Sequence, residues 1–309
     1  MTDTGFQPEN TLAARLASVQ AGTPLAQAMA TRDAASANAE ASYRVLFETV
    51  DTARLSTAER FSIALTTAEV HKDAVLVAHY RARVNEAGGV PHMDARQEAV
   101  QRHVRTLAST PLSLGATDLK LLEAAGWSAD AILTISQIVA YVSFQSRYVI
   151  GLAMLAGSAA GAASGLASVP AGVWHTQPST TSGKPAPVAF TRDELNWEPW
   201  IAPRDRATLS EVEAAQLEKA GHINSDYFLL LARDMPVLDH RTRTDKGIFF
   251  THGGLPRAER ELAAAVTSKV NGCIYCASVH ARKAAQLSRE VDAVDALLAV
   301  SPGFKFITL

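Results

Sequence analysis

The chain has 309 residues, enough for two domains of ordinary size, and its 48% hydrophobic content suffices for a buried core in each. Its 29 basic and 31 acidic residues nearly balance, and no dense run of Lys and Arg with interleaved aromatic residues is present, so no nucleic-acid partner is expected. The opening MTDTGFQPEN lacks the basic start and apolar stretch of a signal peptide, which predicts a cytoplasmic protein.

The first half of the chain has the pattern of one helix after another. Between residues 11 and 155, Ala, Leu, Glu, Arg and Gln are frequent, apolar positions recur every three or four residues, and alternating strand patterns are scarce. We therefore predict an all-α fold. Residues 1–40 would form an N-terminal segment, and residues 41–155 a first helical unit.

Two helix starts in this unit carry capping signals. Ser56 followed by Glu59 is typical of a capping box, and it predicts a helix that runs to about Ala82. Ser128, after a glycine, predicts the start of a second helix that ends near Leu155.

The composition then changes to Gly, Ala, Ser, Thr and Pro, which predicts a linker at residues 156–191. Residues 148–174 carry no charge and exceed the length of a membrane span, but small residues dominate them and supply little transfer free energy, so we expect no membrane insertion. Helical patterns resume at residues 210–220, 225–233 and 255–289.

An internal match suggests that the chain contains two diverged repeats. The string ERFSIALTTAEV, which begins at Glu59, aligns without gaps with ERELAAAVTSKV, which begins 200 residues later at Glu259. We predict a first repeat at residues 41–155 and a second at 192–309. At the same offset the first repeat has Asp73, Leu76 and Phe61 where the second has Cys273, Cys276 and Glu261.

The chain contains only two cysteines, and they lie three residues apart in VNGCIYCASVHARK. Asn271 and Gly272 interrupt the preceding helix and helix formers follow, so both thiols are predicted at a helix N-terminus, where free N–H groups and the helix dipole favour a thiolate. His280 follows Cys276 by four residues and Cys273 by seven, so one helix face would present all three. Glu261, on the helix before the turn, could fold back as a proton acceptor or as the residue that orients another donor.

A plainer explanation exists for each of these residues. Cys273, Cys276 and His280 could be three ligands of a zinc site, but no fourth ligand is evident, so a redox pair is preferred and no metal or cofactor is expected. His280 could cover a helix surface and Glu261 could be a solvated charge. Tyr275, between the cysteines, is expected in the core or at an interface.

The first half contains four dispersed histidines. The spacing within each pair is eight or eleven residues, and not the four that ligands on adjacent helix turns require. We predict that all of them are surface residues: His71, His79, His92 and His103.

The segment around the two cysteines resembles the redox signature of the alkylhydroperoxidase D and carboxymuconolactone decarboxylase-like family. Its sequence is RAERELAAAVTSKVNGCIYCASVHARKA. The resemblance implies a small all-α unit that assembles into trimers or larger homo-oligomers. It also implies that Cys276 attacks a peroxide substrate, that Cys273 resolves the product, and that Glu261 and His280 move the proton. An external dithiol or thiol-protein reductant would then restore the thiols. Position in the helix by itself would favour Cys273 as the attacker, because it is nearer the helix start.

A segment of the first half is also similar to the later helices of such a repeat, with the sequence LLEAAGWSADAILTISQIVAYVSFQSRYVIGLAML. The whole chain therefore resembles a two-repeat member with a structural, thiol-free first copy. The dipeptide Ile274-Tyr275 lacks the histidine that the founding peroxidase carries before its second cysteine. The chain ends at Leu309, so we expect that the closing helices of the second repeat are missing. The first repeat or another subunit would then supply the packing surface that these helices would provide.

The leading interpretation is a dithiol peroxidase of the alkylhydroperoxidase type. One alternative is a lyase or isomerase that acts on a cyclic lactone, as decarboxylase-like members of the superfamily do, although such members generally work without the CxxC pair. Another is a non-enzymatic, oligomeric or metal-binding protein.

Overall fold

The computed structural model describes residues 6–158, 179–180, 182–187, 189–195 and 198–299. Within these ranges the regular structure is helical and no strand forms, which confirms the all-α prediction. Most of the predicted linker, including the larger part of the charge-free stretch at 148–174, lies outside the described residues, as does the apolar tail FKFITL.

The helices of the first half are α1 (Leu12–Leu16), α2 (Pro24–Ala30), α3 (Asp33–Phe47), α4 (Thr57–Val70), α5 (Ala74–Glu86), α6 (Ala95–Ser109), α7 (Ala116–Ala124) and α8 (Ala129–Leu155). The helices of the second half are α9 (Glu211–Lys219), α10 (Asp226–Leu231), α11 (Met235–Phe249), α12 (Arg257–Val270), α13 (Ile274–Ser288) and α14 (Val291–Ala299).

Both capping signals of the first half lie where the sequence predicted them. Ser56 and Glu59 form a complete capping box at the start of α4, and Ser128 caps α8. The continuation to Ala82 was wrong, because the helix ends at Val70. The chain reverses through Lys72, which has a left-handed φ of 55°, and a new helix begins at α5.

In the second half, α9 and the α12–α13 pair match the predicted helical patterns, and the break after α12 falls at Asn271 as expected. The helix α11 was not predicted from the sequence. Its Pro236 lies in the first turn, where a backbone N–H is not needed. Its Gly247 lies against the backbone of Ala35, and an added Cβ would come within 2.6 Å of the Ala35 nitrogen. Both residues therefore fit this helix, although each is usually a helix breaker.

The main core surrounds α8, which packs against α1, α3, α4, α6 and α7. Its inward face is apolar, with Ile132, Ile135, Ile138 and Val142 all fully buried. By length and composition α8 could cross a membrane, but half of its most apolar window is buried inside the fold, as in the core helix of a globular protein. Polar Gln145 is also buried here.

The α4–α5 and α12–α13 hairpins have the same construction. The two first helices begin and end at positions exactly 200 residues apart, and each turn contains one left-handed residue, Lys72 or Gly272. Arg60 and Arg260 also correspond, since both guanidinium groups donate to carbonyls of the preceding loop and helix end. These likenesses support the predicted repeat, which stays a prediction.

The second half packs on the first mainly through α3 and α11, which lie side by side. In the described range up to residue 299, only α14 follows the hairpin, whereas α6, α7 and α8 follow the equivalent hairpin of the first half. At the turn of α12–α13, Leu112 of the first half lies over Gly272. The first half thus supplies packing surface to the second.

Candidate active site

The CxxC pair lies at the start of α13. Cys273 is the N-cap residue with an extended backbone, and its Sγ accepts the backbone N–H of Cys276 at 3.3 Å. The two Cα atoms are 5.4 Å apart and the side chains form a disulfide. The sulfur of Cys273 therefore occupies the position of a capping oxygen, where a helix provides unpaired N–H groups and a favourable dipole for negative charge.

The corresponding residue of the first half shows the same capping function. Asp73 caps α5 by accepting the backbone N–H of Leu76 at 3.0 Å, and its other oxygen accepts the Ser146 hydroxyl at 2.8 Å. Asp73 is almost fully buried. The turn therefore selects an N-cap acceptor in both hairpins, and only in the second is that acceptor a thiol.

Glu261 and His280 are in direct contact across the hairpin. Glu261 is 4% exposed, and its Oε2 lies 2.8 Å from Nδ1 of His280, while Oε1 accepts the Nε–H of Arg257 at 3.0 Å. Burial alone raises the pKa of Glu261, but the hydrogen bonds from His280 and Arg257 outweigh it, so the pKa lies below its ordinary value. The carboxylate is thus charged at neutral pH.

The imidazole of His280 is held on two sides. Glu261 binds Nδ1, and the Phe249 ring of α11 stacks on the imidazole with a centroid distance of 5.3 Å. With Nδ1–H donated to a carboxylate, Nε2 is the nitrogen that can accept a proton. His280 follows Cys276 by one helical turn, so the carboxylate–imidazole pair lies one turn along α13 from the second cysteine.

Arg257 is a site residue that the sequence analysis missed. It pairs with Glu261 one turn later on α12, and its guanidinium lies 3.9 Å from the Phe250 ring centroid. The spacing of four residues between an arginine and a glutamate was the available signal. Arg257 fixes the carboxylate oxygen that His280 does not use.

Tyr275 and Gly272 connect the dithiol to its surroundings. The Tyr275 ring is half-buried, 6.0 Å from the Tyr227 ring centroid of α10, and burial raises its pKa. Gly272 has a φ of 72°, and a Cβ built on it would come within 2.0 Å of Leu112 Cδ1. Glycine is therefore required at this position for two reasons: the backbone angle is left-handed, and Leu112 lies too close for a side chain.

The prediction that the four histidines lie on the surface was wrong for His103, which is 7% exposed on the inner face of α6 and has no partner for either ring nitrogen. His71 and His79 are half-buried between helices, where burial lowers the pKa of each to about 4. Only His92 is exposed as predicted. Among the described residues no group of three His, Cys, Asp or Glu side chains is placed to hold a metal ion.

Comparison with known proteins gives one family match. Residues 236–302, which run from α11 through the CxxC hairpin, match the carboxymuconolactone decarboxylase family model. Neither the curated proteins nor the solved structures give a match. The segment that carries Glu261, the two cysteines and His280 is therefore similar to the carboxymuconolactone decarboxylase family, which confirms the resemblance found in its sequence.

Proposed function

We propose that the protein is a dithiol peroxidase that reduces peroxides through Cys276 and Cys273. The observation that carries the proposal is the arrangement of the hairpin. A cysteine pair able to form a disulfide lies at a helix N-terminus, one turn from a histidine that a buried carboxylate orients. A thiolate and a proton carrier are the two groups that peroxide reduction needs.

In the first half of the proposed cycle, the Cys276 thiolate attacks one oxygen of the peroxide and the O–O bond breaks. The leaving alkoxide takes a proton and departs as an alcohol, while the sulfur becomes a sulfenic acid. His280 accepts the thiol proton of Cys276 through Nε2 and passes it to the leaving oxygen. Glu261 keeps the imidazole in the required tautomer and stabilises its charged form.

In the second half, Cys273 attacks the sulfenic sulfur of Cys276. The proton that the Cys273 thiol gives up on ionisation goes to the departing hydroxyl group, which leaves as water, and a disulfide forms. An external dithiol, for which we propose a small dithiol or a thiol protein, then supplies two electrons and two protons and is itself oxidised to a disulfide. We further propose that this cycle operates in the cytoplasm and in a homo-oligomer.

Two local features favour different cysteines as the attacker. The capping hydrogen bond stabilises negative charge on Cys273, whereas the one-turn spacing to His280 favours proton transfer from Cys276. We assign the attack to Cys276, because the Glu261–His280 pair provides both removal of the thiol proton and its delivery to the leaving group. Cys273 then benefits from its capping position as the resolving thiolate.

The test is a titration of free thiols in the reduced full-length chain before and after one equivalent of peroxide. We expect the loss of two thiols per chain, recovery on addition of dithiothreitol, and a mass change of two hydrogens located to the peptide that contains both cysteines. Unchanged thiols would rule out the proposed cycle.

A lyase that acts on a cyclic lactone is the second candidate, because the matching family model is that of carboxymuconolactone decarboxylase. Such a reaction needs acid–base groups and no thiol. Lactone turnover by a variant with both cysteines replaced by serine would favour this candidate over the peroxidase, while loss of peroxide reduction in the same variant is expected only for the peroxidase.

A further inference from the structure

A long apolar groove runs between α3, α8 and α11, outside the dithiol hairpin. It consists of a cavity of about 470 Å³ and a second cavity of about 350 Å³. Each volume lies within the range of ligand-binding pockets, roughly 300–1,000 Å³. The two cavities share the lining residues Ala39, Phe144, Thr244 and Ile248, so they adjoin, and we describe them together as one groove.

The groove is elongated along the helices. On α8 its lining extends from Leu133 to Leu152, which corresponds to roughly 28 Å at the rise of an α-helix. Most of this lining is apolar, and Phe144 at its middle is 38% exposed although it is a large hydrophobic side chain. A surface of this length and character fits an extended hydrocarbon chain better than a compact molecule.

One end of the groove carries two arginines, Arg32 of the segment before α3 and Arg260 of α12. Both guanidinium groups donate to the carbonyl of Thr251, at 2.9 Å and 3.0 Å. Among the described residues neither arginine forms an ion pair with an acidic side chain, and the Nε atom of Arg260 is buried without a hydrogen-bond partner. This end therefore has excess positive charge.

The pKa of Arg260 is consistent with an excess of positive charge at this end. Burial lowers its pKa, and the positive charges of Arg32 and Arg257 lower it further, whereas Glu261 acts in the opposite direction. Glu261 is already bound by Arg257 and His280, so it does not neutralise the arginine end.

The other end of the groove, near Tyr227, carries no net charge. The lining there includes Tyr227, whose ring packs against Tyr275 between the two cysteines. Arg241 and Asp245 lie at this part of the wall with opposite charges, so they give it no net charge. The groove thus has one cationic end, an apolar body and a nearly neutral end beside the dithiol helix.

We propose that this groove binds a long-chain fatty acid, with its carboxylate against Arg32 and Arg260 and its alkyl chain along α8 towards Tyr227. A carboxylate supplies the negative charge that the arginine end lacks, and an alkyl chain covers the exposed apolar walls. The binding site does not depend on peroxidase activity, because it uses no atom of the cysteines, His280 or Glu261.

The test is calorimetric titration of the full-length chain with octanoate, laurate and palmitate below their micelle concentrations, with hexadecanol as the uncharged analogue. We expect one site per chain. Removal of hydrocarbon from water should lower the Kd by up to about fourfold per added methylene until the groove is filled. Hexadecanol should bind at least about tenfold more weakly than palmitate, because it lacks the charged hydrogen-bond acceptor.

Three variants locate the site. Arg260→Met and Arg32→Met should each weaken palmitate binding by about tenfold, and Thr244→Trp should abolish it by filling the junction of the two cavities. Arg102→Met, which removes an exposed arginine of α6, is the matched control and should bind palmitate normally. Circular dichroism and thermal melting identify any variant that has not folded. The palmitate affinities of the folded variants then decide whether the groove is the binding site.

Three results would overturn the proposal. The first is the absence of palmitate binding to the folded wild-type chain. The second is equal binding by Arg260→Met, Arg32→Met and Arg102→Met, which would place the carboxylate elsewhere. The third is a change of oligomeric state in Thr244→Trp with palmitate binding intact, which would mean that a second copy of the chain covers the groove.

Discussion

Cys273 has the same structural role in α13 that Asp73 has in α5. Both side chains accept the backbone N–H three residues later, at 3.3 Å and 3.0 Å. A carboxylate in this position can accept hydrogen bonds, whereas a thiol can also attack and form a disulfide. A single residue type at the helix start therefore separates a purely structural turn from one that can react, and we propose that the neighbouring Glu261–His280 pair provides the proton transfer.

Replacement of Glu261 by glutamine should slow disulfide formation by peroxide by about 100-fold, because the amide cannot stabilise a charged imidazole as the carboxylate does. The rate of thiol loss, measured from pH 5 to 9, checks this. Glu290→Gln removes an exposed carboxylate after α13 and should react like the wild type. Equal rates in all three proteins would show that Glu261 has no part in the proton transfer.

Protonation of His71 and His79 should destabilise the fold in acid. Their pKa values in the folded chain are about 4, against 6.5 for the free side chain, because burial disfavours the charged imidazole. The unfolded state therefore binds more protons between these values, and stability falls as the pH is lowered from 6.5 towards 4. Denaturant unfolding across this range should show a smaller loss for His71→Gln and His79→Gln than for the wild type.

The exposed His92 provides the control, because His92→Gln should keep the full acid dependence of the wild type. If His71→Gln and His79→Gln lose as much stability between pH 6.5 and 4 as His92→Gln does, the burial of the two imidazoles does not cause the acid sensitivity.

The geometry of the α12–α13 hairpin depends on its turn residues and on Leu112, which packs over the turn. Gly272 combines a left-handed backbone with the contact to Leu112. The adjoining residues Asn271 and Cys273 end one helix and cap the next. The position of the dithiol thus depends on the first half of the chain as well as on its own helix.

Gly272→Ala should destabilise the protein by about 2 to 3 kcal/mol, because the methyl group adds strain at a left-handed φ and overpacks against Leu112. Gly221→Ala is the matched control, since Gly221 has a φ of 74° and no atom within 4 Å of an added Cβ. Its cost should be about 1 kcal/mol. Chemical denaturation measures both, and equal costs would remove the argument for the Leu112 contact.

The sequence predicted the parts of this structure that depend on neighbours along the chain. The capping residues Ser56 and Ser128, the break at Asn271 and the closeness of Glu261 to His280 were all accessible in this way. The break after Val70 was not predicted, because the left-handed turn residue there is a lysine. The groove could not be predicted either, since three helices that are distant in sequence form it.

At the scale of the whole molecule, the two halves form one packed structure. The helices α3 and α11 lie side by side, and Arg233 of the second half pairs with Asp130 at the start of α8 at 2.6 Å. The backbone of Ala35 approaches Gly247 so closely that no side chain fits between them. The thiol-free half thus forms one wall of the groove and covers the turn before the cysteines.

Gly247→Ala should destabilise the protein by about 2 kcal/mol or more, because the clash is with the backbone of Ala35 and cannot be relieved by a rotamer change. Gly151→Ala in α8 is the control, since an added Cβ there meets no atom within 4 Å; it should be neutral or stabilising by about 1 kcal/mol. Thermal unfolding measures both. A neutral Gly247→Ala would contradict the close packing of α3 on α11.

The two cysteines have different proposed roles: we propose that Cys276 attacks the peroxide and Cys273 resolves the product. Trapping of sulfenic acid with a dimedone-type reagent, followed by mass spectrometry, tests it in the two single variants. We expect a trapped sulfenic acid on Cys276 in Cys273→Ser and none in Cys276→Ser after one equivalent of peroxide. Trapping on Cys273 in Cys276→Ser, with none in Cys273→Ser, would reverse the assignment, and no sulfenic acid in either variant would contradict the peroxidase itself.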